Sequence, residues 1–213
     1  MPRIATQRAY QRDPEAIKRW QQNVFPTLAR QAKRDGADIL FWDESGFRAD
    51  TVHGKTWRLR GHTPGVNRPG QGQSVSAASA VNATEASWFC TYPGALNADL
   101  SIAMLKQMMR FRKRPVHLVL DSLPAHRRAD VRAYVASTAG RLHLPFLPGY
   151  ALELNPDPLV WSHLKRTGTA RRPLQAGENL RERIGAQLNA LRRNPTLVRS
   201  FFQAPCVSYI TNQ

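Results

Sequence analysis

The stretch ADILFWDESG at residues 37–46 decides the fold. Its apolar part, residues 37–42, is typical of a strand buried inside a sheet, and the acidic and small residues after it indicate a turn. A second stretch, PVHLVLD at residues 115–121, is continuously apolar, which is typical of a strand covered on both faces. Each stretch therefore ends a predicted buried strand with an aspartate, Asp43 in the first and Asp121 in the second.

The sequence on either side of these strands predicts the other elements. Residue patterns predict further strands over residues 56–60, 73–81, 86–92 and 141–147. Helical spacing predicts helices over residues 13–33, 97–108, 125–138 and 155–165, followed by one or two basic helices. Pro26 is expected to break the first helix into two pieces. Three antiparallel strands followed by parallel strands with covering helices predict an α/β mixed sheet, which is compatible with a ribonuclease-H-like fold.

The composition indicates a folded protein that binds a polyanion. The 213 residues are 42% hydrophobic, with 31 Lys and Arg against 15 Asp and Glu, a net charge of +16. Nine basic and two acidic residues give a net charge of +7 between residues 163 and 199. Nucleic acid is favoured over a merely solvated basic surface, because cationic side chains that neutralise phosphates release counterions. With no run of 18 apolar residues and no apolar N-terminal stretch, we expect a cytoplasmic protein without a membrane partner.

The two strand-terminal aspartates are the first candidates for chemistry. Ligands of α/β sheets bind beyond the carboxyl ends of the strands, so Asp43 and Asp121 share one site if their strands are neighbours. A few carboxylates and substrate phosphates suffice to hold Mg²⁺ ions, which promote phosphodiester displacement in pairs. The alternative is that each aspartate only accepts turn hydrogen bonds.

Several blocks in a fixed order resemble a known family. The blocks are FWDESG at 41–46, TW at 56–57 with RGHTP at 60–64, LVLD at 118–121 with His126, and FLPGY at 146–150 running through ELNP at 153–156 to Trp161 and Lys165. Together they resemble the catalytic domain of bacterial insertion-sequence transposases, in the insertion sequence 630 group of the mariner-like superfamily of DDE transposases. The resemblance covers about residues 13–210.

The resemblance implies a ribonuclease-H-like domain in which three acids bind two Mg²⁺ or Mn²⁺ ions. Such an enzyme cleaves the element ends and joins them to target DNA. Asp43 matches the first acid and Asp121 the second, whereas the position of the third acid, two residues after the Asn-Pro pair, holds Pro158. A proline in the first turn of a helix removes a carboxylate without removing a helical hydrogen bond.

Two acids near Pro158 are candidates for the third catalytic and metal-binding position. Asp157 is its direct neighbour, but one residue along a helix turns a side chain by about 100°. Its alternative role is to stabilise the helix dipole from the first turn. Glu153, in the preceding loop, is the weaker candidate.

Other residues are expected near the site or on DNA. Glu44 is expected to point to the opposite face of the strand from Asp43, as a neighbour and not a ligand. His126 matches a family position near the site, and could equally cap or pack at a helix start. Four basic residues are expected to contact the DNA backbone: Lys165, Arg166, Arg171 and Arg172.

The predicted organisation is a helical lead-in over residues 1–36, a catalytic core over 37–170 and basic C-terminal helices over 171–213. Complete transposases of the resembling type carry N-terminal helix-turn-helix modules that read the element ends, and we expect this chain to lack them. The expected partners are transposon-end and target DNA, with a second copy or a full-length transposase as a candidate protein partner.

Three functions are consistent with these features. The first is a DDE transposase catalytic domain. The second is a truncated, catalytically impaired remnant that binds only DNA or a partner, because Pro158 replaces the third acid. The third is a cellular nuclease of the same fold, which would prefer RNA–DNA hybrids to duplex DNA.

Overall fold

A five-stranded mixed sheet forms the centre of the molecule. The computed structural model describes residues 10–49, 72–84, 87–169, 174–175 and 177–211. Within these ranges the strands are β1 (Asp38–Arg48), β2 (Ser74–Val81), β3 (Ser87–Tyr92), β4 (Val116–Val119) and β5 (Leu142–His143). Their order is β3-β2-β1-β4-β5, with β1, β2 and β3 antiparallel and β1, β4 and β5 parallel. The predicted α/β mixed sheet is confirmed; the strand predicted at 56–60 lies outside the described residues.

Strand β1 is longer than the sequence predicts. It does not end at Asp43, because β2 continues to pair with it from Phe41 to Arg48. Its parallel pairing with β4 ends earlier, at Phe41 opposite Val119. Asp43 therefore lies two residues beyond the parallel part of the strand, while its backbone is still held by β2.

The helices cover both faces of this sheet. They are α1 (Pro14–Arg19), α2 (Phe25–Asp35), α3 (Ala98–Met109), α4 (Ala129–Ser137), α5 (Asp157–Leu164), α6 (Leu180–Arg192) and α7 (Pro195–Phe201). Short 3₁₀ turns lie at Pro124–Arg127, Leu152–Leu154 and Ser208–Ile210, and π-helical turns at Trp20–Val24 and Lys165–Thr169. Among the helices that the structure describes, none combines the length and apolarity that a bilayer span needs.

Alternation along β1 divides the core into two layers. Phe41 and Phe47 pack in one cluster with side chains of α1, α2, α5, α6 and α7. Leu40 and Trp42, on the opposite face, pack with α3 and α4. Because successive side chains of a strand point to opposite faces, a single apolar strand joins both halves of the core.

Prolines explain two local features of the helices and strands, one predicted and one not. Pro26 lies in the first turn of α2, and the π-helical turn before it separates α2 from α1, as the predicted break requires. The strand predicted at 141–147 is reduced to Leu142–His143 and a single bridge from Phe146 to Leu120. Pro145 interrupts that strand because proline has no N–H for the ladder.

We expect Ile184→Ala to lower the free energy of unfolding by about 2–5 kcal/mol, because Ile184 is fully buried in the layer formed with α6 and truncation leaves a cavity. Urea denaturation followed by circular dichroism measures the change. The matched control is Ala186→Ser, at an exposed position of the same helix, which should change stability by no more than about 0.5 kcal/mol. Equal stabilities of the two variants would show that α6 contributes little to the core.

Candidate active site

Asp43 and Asp121 occupy equivalent positions on neighbouring parallel strands. Phe41 of β1 is opposite Val119 of β4, and each aspartate follows two residues later, Asp43 still within β1 and Asp121 just after the end of β4. The Leu123 backbone N–H donates to Asp121 Oδ1 at 3.1 Å. The sheet thus brings the first two predicted acids together at its carboxyl end.

The surroundings of Asp43 favour its neutral form. Burial raises its pKa to about 7, with further contributions from the charges of Glu44 and Asp121. The Glu44 backbone and the positive charge of Lys165 act in the opposite direction. The pKa of Asp121 is raised by burial as well, and by the charge of Glu44. Two desolvated carboxyl groups side by side form a site that a cation would stabilise.

Asp157 lies next to Asp43 and has no exposed surface. The Ser79 hydroxyl donates to its Oδ1 at 2.6 Å, and Ser79 is itself opposite Asp43 in the β1–β2 ladder. Its Oδ2 is buried without a hydrogen-bond partner among the described residues. Burial, followed by the charge of Asp43, raises the pKa of Asp157 well above 3.8. The carboxyl group is therefore under the site and favours its protonated form.

Asn155 fixes the position of Asp157 and the start of α5. Its Oδ1 accepts from the Asp157 backbone N–H at 3.0 Å, and its Nδ2 donates to the Trp42 carbonyl at 2.8 Å. One buried amide side chain thus ties the first turn of α5 to β1, next to Asp43. The sequence predicted that Asn155 and Pro156 cap this helix, but it gave no signal for the bond to Trp42 or for Ser79.

A groove of about 410 Å³ opens beside Asp43. Its lining residues come from β1, α5 and the π-helical turn: Asp43, Glu44, Ser45, Pro158, Trp161, Ser162, Lys165 and Arg166. Pro158, at the position where the resembling family carries the third acid, faces this groove. The groove therefore presents a proline ring there, while Asp157 is buried behind it.

Glu44 and His126 connect the two strand ends. His126 Nε2 lies 3.0 Å from Glu44 Oε1 and 3.9 Å from Asp121 Oδ1, and its ring is almost fully buried. The Glu44 carboxylate also accepts from the Trp42 indole N–H. Ser101 of α3 lies 3.3 Å from His126 Nδ1. Both predicted near-site residues are thus placed beside the aspartates, and Glu44 shares the face of β1 that carries Trp42.

The remaining predicted residues divide between the groove and other surfaces. Lys165 and Arg166 line the groove, where Lys165 Nζ is 5.5 Å from the centroid of the Phe47 ring. Glu153 instead forms a 2.7 Å ion pair with Arg12. Arg171 and Arg172 lie outside the described residues.

The carboxylate oxygens of the candidate site suit a hard divalent cation in kind but are few in number. Asp43 and Asp121 supply carboxylate oxygens, the ligands that Mg²⁺ and Mn²⁺ prefer, and Mg²⁺ usually keeps several waters. Within the described ranges, however, no group of three or more His, Cys, Asp or Glu residues is arranged to hold a metal ion. The two aspartates could hold a cation, with substrate phosphates as further ligands.

Comparisons with known proteins agree with this architecture. A family model described as DDE superfamily endonuclease matches residues 38–181, more than half of the chain. None of the curated proteins matches the chain.

Several solved structures share the fold. The Mos1 mariner paired-end complex with Mn is similar over 98% of this chain and 64% of that chain, with 14% identity and a TM-score of 0.68. The catalytic domain of Mos1 mariner transposase is similar over 93% and 95%, with 14% identity and a TM-score of 0.55. The chain thus spans less than two thirds of the longer Mos1 chain. At this identity the similarity shows the fold, and it confirms the predicted ribonuclease-H-like class.

We expect Asp157→Asn to become more stabilising as the pH rises. A folded-state pKa above the ordinary 3.8 means that the folded chain holds a proton which the unfolded chain releases, so the free energy of unfolding falls as the pH rises through this range. Asparagine cannot ionise and still accepts from Ser79, so the variant should be more stable than the native chain at pH 8, by a margin that is larger than at pH 5.

Urea denaturation at pH 5 and pH 8 measures this difference, with Asp130→Asn, at an exposed residue of α4, as the matched control. A variant that is less stable than the native chain at pH 8 would contradict a raised pKa for the buried Asp157 carboxyl group.

Proposed function

Because the chain belongs to the DDE superfamily of endonucleases, we propose that it is a transposase catalytic domain that cleaves transposon-end DNA and joins it to target DNA. One observation carries the proposal: Asp43 and Asp121 lie at equivalent positions of adjacent parallel strands, at the carboxyl end of a ribonuclease-H-like sheet. Membership of the insertion sequence 630 group belongs to the same proposal and is supported by the ordered sequence blocks. A cytoplasmic location is proposed as well, because a transposase acts on DNA.

Asp43 and Asp121 would hold Mg²⁺ or Mn²⁺ in this function. When bound, such ions activate a water or a 3′ hydroxyl group and stabilise the leaving oxygen of a phosphodiester. Burial of both carboxyl groups supports this assignment, because a cation relieves the cost of their desolvated charges. His126 and Glu44 would keep the Asp121 side of the site in place through their 3.0 Å contact.

Basic residues beside the acids would hold the DNA. Lys165 and Arg166 face the groove that begins at Asp43, so a phosphate in the groove would lie close to both the cationic side chains and the carboxyl pair. Arg171 and Arg172 follow in sequence and are proposed as further backbone contacts. Such contacts position DNA without reading its sequence. The catalytic core is proposed to extend over residues 37–170, with the basic helices after it.

A second candidate function is supported by Pro158 and by the burial of Asp157. The groove shows a proline ring where a third carboxylate is expected, and the Asp157 carboxyl group is bonded to Ser79 beneath the site. A chain with this arrangement would bind DNA, or associate with a full-length transposase, while cleaving slowly or not at all. Glu153 would not replace the acid, because it is paired with Arg12.

We expect strand cleavage of a labelled transposon-end duplex in Mn²⁺ to depend on both aspartates. Asp43→Asn and Asp121→Asn should each lower the rate roughly 100-fold or more, since changing even the hydrogen-bonded partners of metal ligands costs 10–100-fold. Asp130→Asn, at an exposed residue of α4, is the control and should leave the rate unchanged. Activity that survives both active-site substitutions would refute the assignment.

Pro158→Glu separates the two candidate functions in the same assay. The substitution adds a carboxylate at a position that lines the groove, in the first turn of α5, where glutamate is tolerated. A cleavage rate that rises more than about tenfold in the variant, which corresponds to a barrier lower by about 1.4 kcal/mol, would show that the native chain lacks its third metal ligand. An active native chain whose rate falls in the variant would instead show that its own residues complete the site.

We expect the affinity for Mn²⁺ to fall as the pH drops below 7. Asp43 is protonated below its raised pKa of about 7, and the cation must displace that proton. Binding that releases one proton should be about tenfold weaker at pH 6 than at pH 8. Isothermal titration calorimetry in two buffers of different ionisation enthalpy measures both the affinity and the released proton. Equal affinities at the two pH values would place the cation away from Asp43.

A further inference from the structure

Tyr150 has a backbone conformation that its side chain does not favour. Its φ angle is +55°, in the left-handed region, and it is one of two non-glycine residues with positive φ in the described part of the chain. The other, Ala139, lies at the end of α4 beside Gly140, where a left-handed residue is common. A bulky residue in this region carries strain, and it persists only where the surrounding structure fixes the backbone.

Buried residues on both sides fix the backbone at Tyr150. Leu147 and Ala151 are both buried, and the Leu147 N–H donates to the Leu120 carbonyl at 2.9 Å. The Tyr150 side chain, by contrast, is 60% exposed. No hydrogen bond or ring contact to another described residue holds the aromatic ring. Packing of the flanking residues therefore explains the backbone conformation of the loop. It does not explain why the strained position carries an aromatic residue.

The loop lies beside Asp121. Its first residue, Leu147, is bonded to Leu120, and the Ser122 hydroxyl approaches the Leu147 carbonyl at 3.5 Å, so the loop runs along the residues that flank this aspartate. Leu123, which donates its N–H to Asp121, is also exposed, as is Leu152. Of these exposed side chains, Leu123 thus belongs to a residue bonded directly to the Asp121 carboxylate, and Tyr150 and Leu152 follow Leu147 in the chain.

A cationic side chain lies where this loop begins. The Arg127 guanidinium donates to the Ser122 hydroxyl at 2.7 Å and lies 4.9 Å from the centroid of the Phe146 ring. Exposed aromatic rings and cationic side chains together bind unpaired nucleotides, since a base stacks on the ring and a phosphate pairs with the charge. Here Tyr150 supplies the exposed ring, and Arg127, which contacts Phe146 four residues earlier in the chain, supplies the charge. A protein partner fits this surface less well, because the chain as a whole carries a net charge of +16.

We propose that Tyr150 is a stacking platform for an unpaired base of the DNA strand that passes Asp121. The inference rests on the proposed function, in that the ligand is DNA. It adds that the strand is unpaired next to the site and that the loop at residues 147–151 holds one base by its π-face. In this proposal the strained backbone at Tyr150 holds the ring at an exposed position, and the strain lowers the stability of the folded chain.

The test measures binding of a duplex that carries one unpaired 2-aminopurine near a transposon end, in EDTA so that no cleavage occurs. The 2-aminopurine fluorescence falls when its base stacks on an aromatic ring. Tyr150→Phe keeps the ring and should bind as the native chain does. Tyr150→Ala and Tyr150→Gly should bind roughly 5- to 100-fold more weakly and lose the fluorescence change, as expected for one lost stack.

Thermal unfolding of the same variants separates this role from a structural one. Glycine adopts a left-handed conformation without strain, so Tyr150→Gly should unfold at a temperature equal to or above that of the native chain while losing DNA affinity. A residue needed only for the fold would show the opposite: a lower unfolding temperature. The matched control is Phe111→Ala. Phe111 is also exposed and close to an arginine, Arg110, but it precedes β4, whereas Asp121 follows that strand. Its replacement should therefore leave the fluorescence change intact.

The outcomes also distinguish this inference from the proposed function. Failure of the native chain to bind any DNA probe would overturn both. Native binding that is unchanged in Tyr150→Ala, with the 2-aminopurine signal retained, would overturn only the stacking platform. Equal loss of binding in Tyr150→Ala and Phe111→Ala would likewise overturn it, because the effect would then not be specific to the loop beside Asp121.

Discussion

The shared pairing of β1 with β2 and β4 is the constraint on which the rest of the structure depends. The parallel ladder with β4 covers Asp38–Phe41 and the antiparallel ladder with β2 covers Phe41–Arg48, so the two ladders meet at Phe41. The site lies at this change, since the end of the parallel ladder leaves room for side chains while the antiparallel ladder keeps the Asp43 backbone rigid. The buried Asn155 amide then attaches α5 to the residue directly after this meeting point, through the Trp42 carbonyl. The groove, the basic side chains and the buried carboxyl group all take their positions from that attachment.

The sequence predicted the parts of the site that depend on local pattern. Apolar runs that end in an acid identified Asp43 and Asp121, and the mixed order of strands and helices indicated the fold class. Features that depend on partners distant along the chain were not predictable in this way. The extension of β1 to Arg48 requires β2, and the burial of Asp157 requires Ser79, which is 78 residues away. The early end of β5 had a local signal in Pro145, but the prediction extended the strand through it because the flanking residues are apolar.

The acids of the site form two levels with different electrostatic surroundings. Asp43, with its partner Asp121, is partly accessible and close to Lys165, whereas Asp157 is enclosed and bonded to a hydroxyl group. Burial raises the pKa of each of the three, because a charged carboxylate is poorly solvated there. On the other face of β1, Glu44 has two donors in reach, the Trp42 indole and the His126 ring, so its charge is better compensated. Two successive residues of β1 thus differ in their surroundings. A cation would stabilise the Asp43 carboxyl group, whereas protein donors already contact the Glu44 carboxylate.

Pro158 has a consequence for how such a chain persists in a cell. The second residue of a helix has no intrahelical acceptor for its N–H, so proline replaces an acidic residue there without breaking the α5 hydrogen-bond ladder or the Asn155 attachment. Chaperones and proteases respond to unfolded populations, and those depend on the free energy of folding rather than on catalytic groups. The level of the protein in a cell is therefore expected not to depend on whether proline or an acidic residue occupies position 158.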